Sequence, residues 1–244
     1  MATFLMVHGG WHGGWAFDQL RAPLEARGHR MVAPTLPGMG GDAAAIRALS
    51  LRGWGSFIVE QARAIGEPVI LCGHSRGGIV ISEAAEQAPA AFAALVYITA
   101  FLVPSGKSLT DVTDAFPPDE SFEVGLSLSA RGAAYALAAS VAADAFYTCC
   151  SPADQAMALA RLVPEPVVPL STPLALTEER FGRVPRHYIE CTLDRAVPLA
   201  TQRAMQAALP CTSMTTLVSD HSPFLSMPGA LAEALHNIAE RIER

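Results

Sequence analysis

Short apolar runs and amphipathic stretches alternate along the first hundred residues. Thr3 to Val7 is uncharged and mostly apolar, as a strand buried on both faces of a parallel sheet must be. Arg30-Met31-Val32-Ala33, residues 68–72 and Ala94-Leu95-Val96-Tyr97-Ile98 are further strand candidates. Between them, Leu20 and Leu24 share a helical face that stops at Gly28. Ile58, Ala62 and Ile65 recur at helical spacing up to Gly66, and a helix from Ile79 to about 88 is stopped by Pro89. Strands that alternate with helices in this way predict a parallel sheet covered on both sides.

From Pro104 to about Val184 the alternation breaks, and no convincing strand pattern occurs. Ser105 to Glu120 reads as a polar loop and Ala130 to Phe146 as an alanine-rich helical part. A helix from Pro152 to Leu162 has Ser151 as its N-cap and proline at its first position. An insertion of this size is more than a loop, and it reads as a mainly helical cap. Alternation resumes with the strand His187–Cys191, a helix from about Ala200 to Leu209 and the strand Met214–Val218. A last helix follows Pro228, with Leu231, Leu235, Ile238 and Ile242 along one stripe. The expected architecture is therefore α/β, a mostly parallel, doubly wound sheet of about six strands. Residues 1–103 and 185–244 would form this core, and 104–184 the inserted cap.

Hydrophobic residues make up 51% of the 244 and charged residues 16%, so the chain is core-rich and globular. A net charge of −6 without a basic run makes nucleic acid and anionic membranes poor partners. The five cysteines (Cys72, Cys149, Cys150, Cys191, Cys211) are odd in number and lack metal-ligand spacing. Reduced thiols are expected, with neither a disulfide framework nor a zinc site. No apolar run is long enough to span a membrane and no signal peptide pattern precedes Thr3, so a cytoplasmic location is expected.

The chemistry centres on Gly73-His74-Ser75-Arg76-Gly77, which joins an apolar strand to a helix. In that context Gly-x-Ser-x-Gly is a nucleophile elbow: the serine sits at the apex of a cramped turn with the helix N-terminus beneath it. A β-carbon at position 73 or 77 would collide as strand and helix approach. The bland alternative is a glycine-rich turn whose serine only caps the helix. A serine hydroxyl needs a base and an orienting acid. Of seven histidines, His221 alone lies in a polar loop directly after the last strand, at the sheet edge where ligands bind. Asp194 follows the strand 187–191, and the order Ser75, Asp194, His221 is that of hydrolases with this elbow. Asp220 would generally point elsewhere, and Asp111, Asp114 and Asp119 fall in the cap. The amides of Gly10 and Arg76 are the expected oxyanion donors. Trp11, Phe101, Phe146, Tyr147 and Phe224, with Phe116 and Phe122, are candidates for a substrate pocket, or else for ordinary packing.

These motifs resemble those of α/β-hydrolases, and more narrowly of plant methylesterases and hydroxynitrile lyases with their bacterial carboxylesterase relatives. His8-Gly9-Gly10-Trp11-His12-Gly13-Gly14-Trp15 is similar to that branch's HG-x-x-HG-x-W opening. Ala145-Phe146-Tyr147 with Cys150 to Asp154 is similar to its cap segment, and Cys191–Asp194 and Asp220–Pro223 to its acid and base segments. The lyases have threonine at the place of Gly9 and lysine at that of Ser222, so the departures disfavour lyase chemistry. Arg76 is unusual too, since plant members carry an apolar residue there. It could brace the elbow, or reach toward the cap or an acidic substrate.

Together these features imply a serine carboxylesterase acting on small to medium, hydrophobic or aromatic esters, with no metal or organic cofactor. The alternatives are a thioesterase, amidase or lyase on the same fold, or a non-catalytic binding relative. Relatives in this branch are often dimers, so the resemblance allows a homodimer.

Overall fold

The computed structural model describes residues 1–116 and 120–242; Asp119 lies outside them. Four strands precede the insertion: β1 Thr3–Val7, β2 Arg30–Val32, β3 Val69–His74 and β4 Phe92–Ile98. Within it lie β5 Leu126–Ser129, β6 Ala134–Leu137 and β7 Glu165–Pro166, and after it β8 Arg186–Cys191 and β9 Ser213–Leu217. The main sheet has the order β2-β1-β3-β4-β8-β9, and every neighbouring pair is parallel. Its register aligns Val7 with Gly73, Gly73 with Tyr97, and Cys191 with Leu217. The loops that follow β1, β3, β4, β8 and β9 therefore open on one edge, the place where parallel sheets bind ligands.

Side chains alternate across this sheet. Leu5, Val7, Leu71, Leu95 and Tyr97 pack with Trp54, Ile58 and Ile79 from the helices Leu51–Ile65 and Gly77–Gln87. Phe4, Met6, Ile70, Cys72, Val96 and Ile98 pack on the other face with Leu20, Leu24, Leu231 and Leu235, from the helices Asp18–Glu25 and Pro228–Ile242. The two-sided burial explains why these strands read as continuous apolar runs. Helix ends follow local chemistry. Ser50 Oγ accepts the Gly53 N–H at 3.0 Å, and Gly66, at φ +86°, stops the same helix in the left-handed region. Each leucine such as Leu235, fully buried on the stripe of the last helix, stabilises the fold by about 1.5–3 kcal/mol.

Residues 104–184 differ from the sequence expectation in detail. Three short antiparallel strands, in the order β5-β6-β7, run through a stretch expected to be helical and strandless. The expected helical part Ala130–Phe146 divides into a turn at 130–132, strand β6 and the helix Ala139–Phe146. The pattern misled because β5 and β6 are four residues long and mostly half-buried or exposed, so no apolar alternation marks them. Ser105–Glu120, expected as loop, contains the helix Leu109–Thr113, started by a reciprocal Ser108–Asp111 capping box. The helix begun by Pro152 ends at Leu159. This insertion seats on the loop after β1: Trp11 Nε1–H donates to Tyr135 O and the Val163 N–H to Trp11 O, each at 2.9 Å.

Candidate active site

At the end of β3 the chain turns through Ser75, held at φ +52°, and enters the helix Gly77–Gln87. The turn leaves no space for side chains on its inner face. A β-carbon on Gly73 would stand 2.7 Å from Gly77 O, and one on Gly77 would stand 2.6 Å from Val7 O. Gly78, which sequence reasoning passed over, is the tightest of these three, with Phe101 O at 2.3 Å from that position. The Ser75 N–H donates to Ile98 O at 3.3 Å and the Phe101 N–H to Ser75 O at 3.0 Å, so the end of β4 braces the apex. Ser75 is 9% exposed, at the boundary between burial and access.

His221 and Asp194 meet on the loops that follow β9 and β8. The Nδ1–H of His221 donates to Asp194 Oδ2 at 2.7 Å, with both side chains buried. Asp194 Oδ1 accepts the Ala196 and Val197 N–H groups, each at 2.8 Å, and the Thr99 hydroxyl donates to Oδ2. The carboxylate is thereby fixed in one rotamer. His74 Nε2–H donates to the His221 carbonyl at 2.7 Å, with the two rings 4.5 Å apart. Among the described residues, no hydrogen bond joins the Ser75 hydroxyl to His221. Asp220 does point elsewhere, accepting from the Cys149 N–H at 2.7 Å and the Ser222 N–H at 3.1 Å. The adjacent cysteines thus find a structural use, since the Cys150 thiol also donates to Asp220. Asp111 is spent on its capping box.

The Gly10 and Arg76 amides take part in no backbone hydrogen bond among the described residues. Around them the side chains are densely tied. His8 donates from Nδ1 to Gly9 O and accepts the Leu36 N–H at Nε2, while His12 donates from Nδ1 to Gly10 O and accepts the Tyr147 hydroxyl at Nε2. Both patterns require neutral rings. Burial drives His8 and His74 well below the usual imidazole range and His12 down to about 4. Arg76 turns away from solvent to meet Glu165 at 2.8 Å, and its guanidinium lies 4.5 Å from the centre of the Trp54 ring. Of the options open at the sequence level, it both braces the elbow and reaches the insertion.

The aromatic candidates separate into three groups. Trp11 and Phe146 lie tilted to one another with ring centres 5.9 Å apart, and Phe146, itself buried, lies 5.3 Å from the His221 ring. Tyr147 and Phe224 are 0% exposed and offer no surface to a ligand in this structure. Tyr147 supports His12, and Phe224 packs against His74 at 4.8 Å and Phe17 at 5.3 Å. Phe101 contributes its backbone, while its ring joins the core under the helix Gly77–Gln87. A cavity of about 450 Å³ beside Asp194 is instead lined by Phe122, Val141, Ala145 and Pro198, with Asp144 and Arg195 paired at its edge. A larger one, about 530 Å³, lies away from this cluster, between Arg52, Glu86 and Arg180.

Sequence reasoning missed Thr99 and Glu165. Thr99, at φ +38°, carries no sequence signal beyond following a strand. Glu165 did carry one: a single carboxylate between Pro164 and Pro166 in the apolar stretch 162–168. Such a group is buried only with a partner. Among the described residues no cluster of His, Cys, Asp and Glu could hold a metal ion.

Residues 4–234 match the family model described as the Alpha/beta hydrolase family. Methylesterase 7 of Arabidopsis thaliana is 30% identical over 258 residues, covering 98% of this chain and 96% of that protein. The pyrethroid hydrolase of Sphingobium wenxiniae is 31% identical over 251 residues, covering 98% and 88%. The crystal structure of polyneuridine aldehyde esterase superposes with a TM-score of 0.87 at 24% identity over 98% and 99% of the two chains, a likeness of fold.

Proposed function

The chain belongs to the alpha/beta hydrolase family, and from that premise we propose that it is a serine carboxylesterase. Relatives named methylesterase and pyrethroid hydrolase support hydrolysis as the class of reaction. In this reading Ser75 attacks the ester carbonyl while His221 Nε2 takes its proton, and Asp194 holds the ring in the tautomer that leaves Nε2 free. The amides of Gly10 and Arg76 hold the oxyanion, each worth about 3 kcal/mol in the transition state. His221 then protonates the leaving alcohol, and water releases the acyl group by the same route. The observation that carries the reading is the buried His221–Asp194 bond, placed on the same sheet edge as the strained serine.

Phe122, Val141, Ala145 and Pro198 give the cavity beside Asp194 an apolar side that supports hydrophobic or aromatic esters as substrates, with Ser140, Asp144 and Arg195 as its polar part. Residues 104–184 act as the cap that shapes it. Lyase chemistry is disfavoured by Gly9 and by Ser222, which is fully buried and cannot replace a lysine. No helix among the described residues is long and apolar enough to cross a membrane. All five cysteines are free thiols, which suits a cytoplasmic location.

A panel of p-nitrophenyl esters, an acyl-CoA thioester and mandelonitrile tests the activity. Ester turnover is expected, together with fluorophosphonate labelling that disappears in Ser75→Ala. Turnover of the thioester or nitrile alone, or labelling that survives the substitution, would overturn the reading.

A further inference from the structure

One buried carboxylate ties together every chain segment that shapes the proposed oxyanion site. Glu165, on strand β7 of the insertion, is 0% exposed. Its Oε1 accepts the Arg76 Nε–H at 2.8 Å, and its Oε2 accepts the Trp11 N–H at 3.0 Å. Arg76 closes the circuit by donating from Nη2 to Gly9 O at 2.9 Å. Gly10, whose amide is one of the two donors, is thus held on both sides, through Gly9 and through Trp11. Arg76, whose amide is the other donor, is held by its own side chain.

Two physical points raise this above ordinary packing. A buried ion pair is a weak source of stability, because desolvation offsets most of the attraction. Trp11 sits at φ +60°, a conformation that persists in a non-glycine residue only when its surroundings impose it. The Glu165 bond to the Trp11 amide is one such constraint.

We propose that Glu165 is a positioning residue for the oxyanion site: by docking on Arg76 and the Trp11 amide together, it sets the spacing of the Gly10 and Arg76 N–H groups. The insertion then does more than cover the pocket, because the donors are aligned only when β7 is seated. The inference rests on the ester-hydrolase reading.

The test uses Glu165→Gln and the double variant Arg76→Met/Glu165→Leu, with p-nitrophenyl acetate and fluorophosphonate labelling. In Glu165→Gln the side-chain amide must turn its NH2 toward one of two donors, so the clamp opens. The expected result is a kcat about 10- to 100-fold lower, the scale of a misplacement near 1 Å, with KM within about twofold and labelling slowed in parallel. The double variant removes both charges but also takes the partners of the Trp11 N–H and Gly9 O, so it is expected to fold with a lowered melting temperature and to stay slow. Recovery of wild-type kcat in the double variant, or no change in Glu165→Gln, would reduce the pair to a structural contact and overturn the proposal. So would failure of both variants to fold. If the wild-type protein itself shows neither turnover nor Ser75-dependent labelling, the esterase reading falls and this one falls with it; normal wild-type activity with unaffected variants removes only the positioning role.

Discussion

The imidazole of His221 and the carboxylate of Asp194 share a 2.7 Å hydrogen bond in which the acid has no freedom left. Its second oxygen is taken by two backbone amides, those of Ala196 and Val197. An asparagine at 194 must keep its oxygen toward those donors and so present its NH2 to the ring. His221 would then accept at Nδ1 and carry its proton at Nε2, where it cannot receive one from Ser75. Asp194→Asn is therefore expected to fold and to lose about 10⁴-fold in kcat. Circular dichroism with steady-state ester kinetics checks both halves.

The elbow is sterically closed. A methyl at Gly78 would meet the Phe101 carbonyl at 2.3 Å, and that segment is pinned because the Phe101 N–H bonds to Ser75 O. Gly78→Ala should cost about 1–3 kcal/mol of stability through overpacking and lower kcat as well. Gly28→Ala offers the contrast: nothing lies near its added carbon, so only the left-handed φ of +79° opposes it, at about 1–2 kcal/mol, and kcat should not change. Urea denaturation and kcat of the two variants measure the difference.

Three histidines in the site's supporting layer are buried as neutral rings. Desolvation holds His12 at about 4 and His8 and His74 well below their usual range. In the unfolded chain they titrate near the ordinary imidazole value of about 6.5. Below that value the unfolded state binds more protons than the folded one, down to about pH 4 for His12, so stability falls as pH falls. Each ring adds to this loss, because each is held below its unfolded value by burial. The melting temperature should therefore drop steeply on acidification from pH 7 to 5, and His12→Gln should flatten the slope. A pH-independent melt over that range would contradict the neutral assignment.

Thiol reactivity should separate the cysteines by burial. Cys149 is exposed, Cys211 is half-buried with its thiol pushed up to about 11, and Cys72, Cys150 and Cys191 are buried with their thiols pushed higher still. Ellman's reagent at pH 8 is expected to titrate one thiol quickly in the folded protein and all five after unfolding. Cys149→Ser should remove the fast phase. A total of three in denaturant would instead mean that Cys149 and Cys150 are joined.

Sequence alone determined the features that local chemistry controls. The central strands β1, β3 and β4 were legible because burial on both faces demands apolar runs. The more polar β2, β8 and β9 were legible because they fall at the strand places of the alternation, and the helices because their stripes and stop residues are short-range signals. That Ser75, Asp194 and His221 reach one edge was legible for a related reason: each follows closely on a strand, and a parallel sheet sends all such loops to the same side. Tertiary structure alone decided the rest. Whether Tyr147 and Phe224 line a pocket or support it depends on which way a ring turns in a packed layer. Strands β5, β6 and β7 exist because partners hold them, with little apolar pattern of their own. Arg76 and Glu165 stand 89 positions apart. An unusual cation and an isolated acid were each visible in the chain, but their meeting depends on where the insertion docks, and docking is settled by complementary surfaces distant in sequence.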